Sequence, residues 1–280
     1  METILALRDL GILTIFLSIN IRNRMKLLLI GIDGFAHQLL ENRSVNAPNL
    51  EELLKSNFKE FELKPEWALS AVMWNAIFSG KHPEELKDLR YTREDEDGKI
   101  HIVKYEELPE DLRKRYIWET LARERPDLKV VVVNAPVVLP PWSNVPIELE
   151  DSGVAVDYEP NIINMGITTE TILRHYDADV GIVVFTEIDR ISHFFWGEKE
   201  VFNAYENLDQ LIGIIMERIK PENYMIVSDH GFRDLPKEEQ RILRGGQQIK
   251  GDHSTTQIYA GSVEINRITE LRDAVLRIIE

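Results

Sequence analysis

The sequence has 280 residues, which is enough for one large domain or two small ones. Lys and Arg number 33 and Asp and Glu number 48, so the formal net charge is −15. A chain this acidic is a poor candidate for binding the backbone of long nucleic acids. Cysteine is absent, which excludes disulfide scaffolds, cysteine nucleophiles and thiolate metal ligands. Any metal ion must therefore be bound by oxygen and imidazole nitrogen.

Residues 1–24 are interpreted as an N-terminal extension. The apolar run at 10–19 has about half the length that a membrane span needs. A secretory signal would place basic residues before such a run, whereas here they follow it, within 22–26. A signal peptide and a membrane anchor are therefore less favoured than an extension from an upstream start codon. We expect a cytoplasmic protein with a single domain over 25–280.

Runs rich in Leu, Ile and Val predict buried strands at 26–32, 129–134, 180–185, 223–228 and 256–260. Continuous apolar runs indicate strands that are covered on both faces. Helical patterns lie between and beside the strands, at 46–57, 67–82, 109–125, 199–219 and 266–279. The alternation predicts an α/β fold with a doubly wound, mostly parallel sheet and helices on both faces. The charge-rich segment 83–115 is interpreted as a small insertion or lid that adds little to the core.

Acidic and imidazole side chains follow the predicted strands. Asp33 follows the first strand, Glu187 and Asp189 follow the strand at 180–185, and Asp229-His230 follows the strand at 223–228, with His253 just before the last strand. In an open α/β sheet, ligands bind outside the carboxyl ends of the strands. We therefore expect these side chains to form the functional site.

Each feature also has an ordinary structural interpretation. Asp33 followed by glycine is typical of a tight turn, and Asp189 with His193 fits a helix cap and a surface histidine. Taken together, three Asp and three His at strand ends predict two nitrogen- and oxygen-lined sites that suit Zn²⁺, with Mn²⁺ as an alternative. Two such ions about 4 Å apart clamp the attacking and leaving oxygens of a phosphoryl transfer.

Ser70 is the candidate nucleophile. It lies at the start of the helix predicted over 67–82, where backbone N–H groups and the helix dipole favour an anion. A serine in this position is also typical of a simple helix cap. Ser79 is the alternative nucleophile, but it lies at the far end of the same helix.

The ordered motifs resemble the alkaline phosphatase superfamily, in its nucleotide pyrophosphatase/phosphodiesterase (type I phosphodiesterase) branch. The segments that carry the resemblance are LLLIGIDG (27–34), NAPNLEELL (46–54), SAVMWNAIFSGKHP (70–83), IWETL (117–121), VVNAPVVLPP (132–141), VVFTEIDRISHFFW (183–196), MIVSDHGF (225–232) and GDHS (251–254). The resemblance runs from about residue 26 to residue 260 and implies an alkaline phosphatase-like fold.

The resemblance also implies a role for each site residue. One divalent metal would be held by Asp33, Asp229 and His230, with Ser70 bridging toward it as the nucleophile. The other metal would be held by Asp189, His193 and His253. Ser70 lies ten residues before Gly80, the glycine of the serine-glycine-lysine step, as the family nucleophile does.

Several positions depart from the family pattern. Val72 replaces the usual proline two residues after the nucleophile, and Met73 replaces an asparagine that binds a phosphoryl oxygen in many members. Asn75 is close by but at the wrong offset. The Ala71 N–H and the metals are then left as stabilisers of the phosphoryl charge. Val72 and Trp74 also break the sulfatase pattern of proline and arginine.

These features predict a two-metal phosphoric-ester hydrolase that acts through a covalent phosphoseryl-type intermediate on a small phosphodiester or nucleotide. A phosphomutase or phosphomonoesterase of the same superfamily and a non-catalytic metal-binding member are the alternatives. Trp74, Phe194, Phe195 and Trp196 either form a stacking surface for a nucleobase or are core aromatics. We expect neither long nucleic acid nor a membrane as partner.

Overall fold

A computed structural model describes residues 24–139, 142, 169–171, 173–242 and 247–280. The apolar run at 10–19, and all of the predicted extension except Arg24, lie outside the described residues, as do the last two residues of the segment 132–141. Within the described part of the chain, no helix combines the length and the apolar character needed to cross a membrane.

A six-stranded sheet forms the centre of the molecule. Across the sheet the strands are β2 (Lys59–Glu62), β12 (Thr256–Gly261), β7 (Asn223–Val227), β1 (Leu27–Ile32), β6 (Val180–Phe185) and β5 (Val130–Val133). The four strands from β7 to β5 are parallel, whereas β12 and β2 are antiparallel to their neighbours. The five predicted strands are confirmed to within one residue at each end, and the mostly parallel α/β fold is confirmed. The edge strand β2 was not predicted.

Helices cover both faces of the sheet. Those with both ends described are α1 (Gln38–Glu41), α2 (Pro48–Leu53), α3 (Ser70–Ser79), α4 (Pro83–Leu86), α5 (Glu110–Arg113), α6 (Ile117–Glu124), α7 (Glu187–Phe195), α8 (Lys199–Ile219) and α9 (Leu271–Ile279). Side chains alternate along β1, so that Leu28 and Ile30 face the core under α1, α2, α7 and α8, while Leu27 and Leu29 face the core under α3, α6 and α9.

The pattern at 109–125 forms two helices, α5 and α6, rather than one. The chain is extended at Tyr116, with φ −56° and ψ 146°, so the helix cannot continue through it. The Tyr116 ring is fully buried and its hydroxyl donates a hydrogen bond to Asn75. Burial of this one aromatic side chain therefore overrides the helical periodicity of the segment.

The segment 83–115 contributes more to the core than its composition predicts. Besides α4, α5 and a short 3₁₀ turn, it forms the hairpin of β3 (Thr92–Glu94) and β4 (Ile100–Ile102). Four of its large side chains are buried in the core on the α3 side of the sheet, namely Leu86, Tyr105, Leu108 and Leu112, whereas Ile100 and Ile102 of the hairpin are exposed. The segment thus adds these four side chains to the core. The interpretation as a lid stays a prediction.

Two further pairs of antiparallel strands are present in the described part of the chain. The pair that matters for the site is β8 (Gly231–Asp234) with β11 (Gly251–Ser254), in which His253 lies opposite Phe232. The strands β9 (Arg241–Ile242) and β10 (Gln248–Ile249) form a second pair beside it. The first pair brings His253 back to the end of β7, although it is 23 residues from His230 along the chain.

We predict that Gly31→Ala destabilises the fold by about 1–3 kcal/mol, as expected for overpacking a dense core. A Cβ atom at Gly31 would lie 2.6 Å from Cη2 of Trp74 and 2.9 Å from Cγ2 of Val184. Urea denaturation measures the loss. Ile100→Ala is the control, because Ile100 is 75% exposed and its removal should change the stability by less than about 0.5 kcal/mol. Equal stability of Gly31→Ala and the wild type would contradict the packing described here.

Candidate metal and phosphoryl-transfer site

The predicted site residues lie at the carboxyl ends of three adjacent parallel strands. Asp33 directly follows β1, Asp189 lies in the first turn of α7 after β6, and Asp229 and His230 follow β7. These strands neighbour one another in the sheet, so the side chains that follow them come together beyond the carboxyl ends of the strands. His253 reaches the same place on β11.

Asp189 lies at the centre of the cluster. Its Oδ1 is 3.2 Å from Nε2 of His253, 3.6 Å from Nε2 of His193 and 4.0 Å from Nε2 of His230. The potential metal-binding atoms of the cluster form two groups that could each hold an ion. Asp189, His193 and His253 form one group, and Asp33, Asp189 and His230 form the other. Asp189 is thus shared between the two groups, whereas the sequence assigned it to one metal only.

Asp229 and Asp33 are buried beside His230. Oδ2 of Asp229 lies 3.1 Å, and Oδ1 of Asp33 3.6 Å, from Nε2 of His230. The backbone N–H of Gly34 donates to Oδ1 of Asp229 at 3.2 Å. Gly34 has a φ of +68°, and a Cβ atom there would lie 3.0 Å from Cβ of Asp189. Glycine is therefore required for the turn after β1 to pass between the carboxylates.

The three imidazoles are oriented by backbone carbonyls. Nδ1 of His193 lies 3.2 Å from the Gly251 oxygen, Nδ1 of His230 lies 3.0 Å from the Gly231 oxygen and Nδ1 of His253 lies 2.8 Å from the Ala68 oxygen. A carbonyl can only accept, so each Nδ1 carries the hydrogen. In the neutral rings, each Nε2 therefore presents its lone pair to the cluster. A hydrogen bond on the outer nitrogen is typical of histidines that bind metals.

Ser70 is the first residue of α3, and Leu69 occupies the cap position. Ser70 is therefore not the cap residue of this helix. Instead, its Oγ lies 3.2 Å from Oδ1 of Asp33 and 3.2 Å from Nε2 of His230. The interpretation of Ser70 as a simple cap is therefore wrong. The hydroxyl of Ser79 is fully buried at the opposite end of α3 and donates to the Asn75 carbonyl, away from the cluster.

Trp74 and Asn75 of α3 are both buried, and only Trp74 contacts the cluster. Nε1 of Trp74 donates to Oδ2 of Asp33 at 3.1 Å, and the Trp74 ring is fully buried and stacked on Phe78. Trp74 is thus a core aromatic and not a surface for a nucleobase, and Trp196 is buried too. Asn75 is also buried and donates to the carbonyls of Ala71 and Val137, so it is a structural residue.

Burial and mutual repulsion disfavour ionisation of two of the carboxyls. Burial, followed by the charges of Asp229 and Asp189, raises the pKa of Asp33 well above its usual value. Burial and then the Asp189 charge raise the pKa of Asp229 to about 7. Burial also opposes ionisation of Asp189, but His193, His253 and His230 outweigh it and lower its pKa. Asp189 is therefore the carboxylate that carries the charge of the metal-free cluster.

The pKa values of two of the imidazoles are shifted in opposite directions. Burial, followed by the His253 charge, lowers the pKa of His230 to about 3, so this ring is neutral at pH 7. Burial also lowers the pKa of His253, but the hydrogen bond and charge of Asp189 outweigh burial and raise it to about 9. In the metal-free protein, His253 and Asp189 thus form an ion pair.

The donor set fits divalent metals. Oδ1 of Asp189 and Oδ2 of Asp229 are buried and accept no well-directed hydrogen bond from the described residues. Buried carboxylate oxygens without donors are costly, and a cation satisfies them. Imidazole nitrogen and carboxylate oxygen are the ligand types that Zn²⁺ and related metals accept.

Comparison with known proteins gives the family of this chain. The model of the type I phosphodiesterase/nucleotide pyrophosphatase family matches residues 27–273. The chain belongs to this family. It is accordingly a metal-dependent hydrolase of phosphodiester and pyrophosphate bonds. A comparison with curated protein sequences gave no match.

Solved structures of the same class share the fold. Murine ectonucleotide pyrophosphatase/phosphodiesterase 5, in an inactive form in complex with AMP, has a TM-score of 0.60 and 11% identity, over 92% of this chain and 95% of that chain. The human enzyme of that name has a TM-score of 0.59 and 12% identity, over 90% and 94% of the two chains. The arrangement of strands and helices described above is therefore the fold of this family.

Sequence reasoning missed Tyr91, which comes from the charged segment 83–115. Its hydroxyl donates to the Pro136 carbonyl at 2.6 Å. Burial, followed by the charges of Asp33, Asp229 and Asp189, raises its pKa well above the usual value, so the phenol lies within electrostatic range of the cluster. Tyr91 is one of two tyrosines in this charge-rich segment, and no local pattern of the sequence distinguishes it from Tyr105.

We predict that the metal-free protein loses about 2 kcal/mol of stability between pH 7 and pH 9. The pKa of His253 is about 9 in the folded chain, above the value of about 6.5 in an unfolded chain. Its protonation therefore stabilises the fold fully below about pH 6.5, and this contribution is lost as the pH rises through about 9. Urea unfolding after chelation of metals measures it. His253→Gln should remove the part of the dependence that His253 contributes, while the raised pKa values of Asp33 and Asp229 keep a remainder, and an unchanged dependence in that variant would contradict the assignment.

Proposed function

We propose that the enzyme is a two-metal phosphodiesterase in which Ser70 is the nucleophile. The observation that carries the proposal is the position of Ser70 Oγ, 3.2 Å from one ligand atom of Asp33 and 3.2 Å from one of His230. The hydroxyl therefore lies at the edge of the donor cluster, on the first residue of a helix. This placement is what an activated nucleophile requires.

Asp33, Asp229 and His230 would hold one ion, and Asp189, His193 and His253 the other. Asp189 belongs to both groups of potential ligands, so its carboxylate would be available to either ion. We propose Zn²⁺ as the metal and Mn²⁺ as the alternative, because no ligand is a thiolate and three are imidazoles. When bound, such ions lower the pKa of a coordinated hydroxyl and neutralise the charge that develops on phosphoryl oxygens.

Ser70 Oγ forms a bond to phosphorus while the bond to the leaving oxygen breaks. The leaving oxygen departs with the electron pair and takes up a proton. Water then breaks the bond between phosphorus and Ser70 and restores the hydroxyl. The covalent intermediate is a phosphoseryl or nucleotidyl-seryl ester, and it divides one displacement into two.

Donors near Ser70 are available for the phosphoryl oxygens. The first helical hydrogen bonds of α3 are those from Val72 and Met73 to the Leu69 oxygen, so the preceding amides of Ser70 and Ala71 point out of the helix end. The side chain of Met73 has no hydrogen-bond donor. The Ala71 N–H is therefore the donor to a phosphoryl oxygen, a role that an asparagine has in many family members. The helix dipole adds to the attraction of an anion at this end.

The substrate is a small phosphodiester or a nucleotide. A structural relative was solved with AMP, which supports a nucleotide in a site of this fold. Of the four aromatic candidates for stacking, Phe194 and Phe195 are the two that are not fully enclosed. A cavity of about 530 Å³ adjoins the cluster at His193 and is lined by Glu238, Glu239, Arg241 and Asp252. Its acidic wall disfavours a long polyanion.

Three expectations from the sequence do not bear on the mechanism. The cytoplasmic location, the boundary of the N-terminal extension and the role of 83–115 as a lid stay predictions. The phosphomutase and phosphomonoesterase alternatives differ from the proposal in the acceptor or in the substrate, and activity measurements separate them.

Replacing the nucleophile tests the mechanism. Ser70→Ala should lower kcat by on the order of 10³-fold or more, equivalent to about 4 kcal/mol of barrier. Because the side chain does not cap α3, the stability should fall by no more than about 1 kcal/mol. Steady-state kinetics with a nitrophenyl phosphodiester measures the first effect and urea denaturation measures the second.

Ser79→Ala is the matched control on the same helix and should keep its activity within about tenfold of the wild type. Acid quenching during turnover, followed by peptide mass analysis, should find the added phosphoryl or nucleotidyl mass on the peptide that contains Ser70. Full activity of Ser70→Ala with loss of activity in Ser79→Ala would overturn the assignment.

The substrate class is tested by a panel of phosphate esters. We predict faster turnover of a nitrophenyl phosphodiester than of the matching monoester, and weak activity on long nucleic acids at low salt because the net charge of −15 repels them. A clear preference for the monoester would favour the phosphatase or mutase alternative.

A further inference from the structure

Gln257 is a fully buried polar residue on β12 that has no evident role in the fold. Its relative exposure is 0%, and neither Oε1 nor Nε2 has a hydrogen-bond partner among the described residues. Burial of an unpaired amide lowers the stability of a protein. A buried glutamine whose amide has no partner requires an explanation other than fold stability.

The strand register places Gln257 beside the functional cluster. Tyr259 pairs with Val227, and the Ser228 N–H donates to the Ile258 oxygen at 3.1 Å. The antiparallel ladder continued by one more residue sets Gln257 next to Asp229. Gln257 also pairs with Phe61 on the other side. Gln257 therefore lies between the edge strand and the end of β7, level with the residues that carry the predicted metal ligands.

The side chain of Gln257 points to the face of the sheet that carries α3. Ile258 belongs to the core on the opposite face, while Tyr259 and Phe61 belong to the core under α3. Since side chains alternate along a strand, Gln257 shares the face of Tyr259. Ser70 and Trp74 lie on this same side, and so does the Asp33 carboxylate that they contact.

Asp229 is the ligand whose support is incomplete. Asp33 accepts a hydrogen bond from Trp74 through Oδ2, and each histidine is fixed by a backbone carbonyl. Asp229 accepts one from Gly34 through Oδ1, but its Oδ2 is buried without a well-directed donor. The buried Oδ2 of Asp229 therefore lacks a well-directed donor, the buried amide of Gln257 lacks a partner, and the strand register brings the two residues to the same end of the sheet.

We propose that Gln257 is a positioning residue for Asp229, whose carboxylate its Nε2 holds by a hydrogen bond when the Asp33–Asp229–His230 site contains a divalent cation. The proposal rests on the function proposed above. A neutral amide suits this task, because it orients the carboxylate without adding a positive charge that would repel the cation. Loss of a residue that hydrogen-bonds to a metal ligand typically lowers metal affinity by about 10- to 100-fold.

A purely structural role predicts a different result for metal affinity. If Gln257 only fills space, an apolar residue of the same length would fill it at least as well, because no hydrogen bond is lost and an unpaired amide is removed. Metal affinity would then stay unchanged. Both roles predict that Gln257→Met keeps or raises the stability of the metal-free protein, and only the proposed role predicts a loss of metal affinity.

The experiment compares Zn²⁺ binding and thermal unfolding of the wild type, Gln257→Met and Tyr259→Phe. Tyr259 lies two residues along on the same face, is buried and donates its hydroxyl hydrogen to the Val263 oxygen. Its replacement by Phe removes a real hydrogen bond away from the cluster. Calorimetric titration of the chelated proteins gives the affinity of each site, and a melting curve of the metal-free proteins gives Tm.

We expect Gln257→Met to weaken one of the two Zn²⁺ sites at least tenfold, to leave the other within twofold and to keep or raise Tm. In a His193→Ala background, which disables the other site, the weakened site should be the one that remains. Tyr259→Phe should lower Tm and leave both affinities within twofold. Gln257→Leu serves as a second variant if Gln257→Met does not fold.

Two unchanged affinities in folded Gln257→Met, or an equal loss at both sites, would overturn the role of Gln257 while leaving the proposed function in place. Absence of Zn²⁺ and Mn²⁺ binding by the wild type would overturn the proposed function itself, and this proposal with it.

Discussion

The close approach of three buried carboxyl groups is the constraint on which the rest of the site depends. Asp33 and Asp229 are almost completely buried, and the Asp189 charge raises the pKa of both. Such groups cannot all ionise unless positive charge is supplied nearby. Within the described chain His193, His253 and His230 favour ionisation of Asp189, and this compensates only part of the cluster. The arrangement is therefore stable with protons or with metal cations, and binding of metal must displace protons.

The fold holds this unfavourable cluster in place with neutral groups. Trp74 donates to Asp33 from the core, Tyr205 accepts the Ala36 N–H in the loop after β1, and the Ser228 hydroxyl accepts the Phe35 N–H. Three backbone carbonyls orient the imidazoles. None of these partners adds a cationic side chain that would compete with a metal ion. The carboxyl end of the sheet is thus held by neutral groups and its charge is left for a ligand, as preorganised catalytic sites require.

The local pattern of the sequence predicted what short segments decide by themselves. The strand 180–185 and the helix 199–219 have the predicted bounds, because an unbroken apolar run and a long 3.6-residue period are strong local signals. Long-range pairing was not predictable from such signals. The antiparallel β12 and its partner β2, the break of the helix at Tyr116, the sharing of Asp189 between two groups and the position of Gln257 all depend on contacts between distant segments. The residues of the site were found because ordered motifs at strand ends converge in any parallel sheet.

The central claim is that this cluster binds two metal ions beside Ser70. Crystals of the protein equilibrated with Zn²⁺ and measured at the zinc absorption edge test it most directly. The account predicts two anomalous peaks about 4 Å apart, one between Asp33, Asp229 and His230 and within ligand distance of Ser70 Oγ, and one between Asp189, His193 and His253. A single peak, or peaks only outside this cluster, would contradict it.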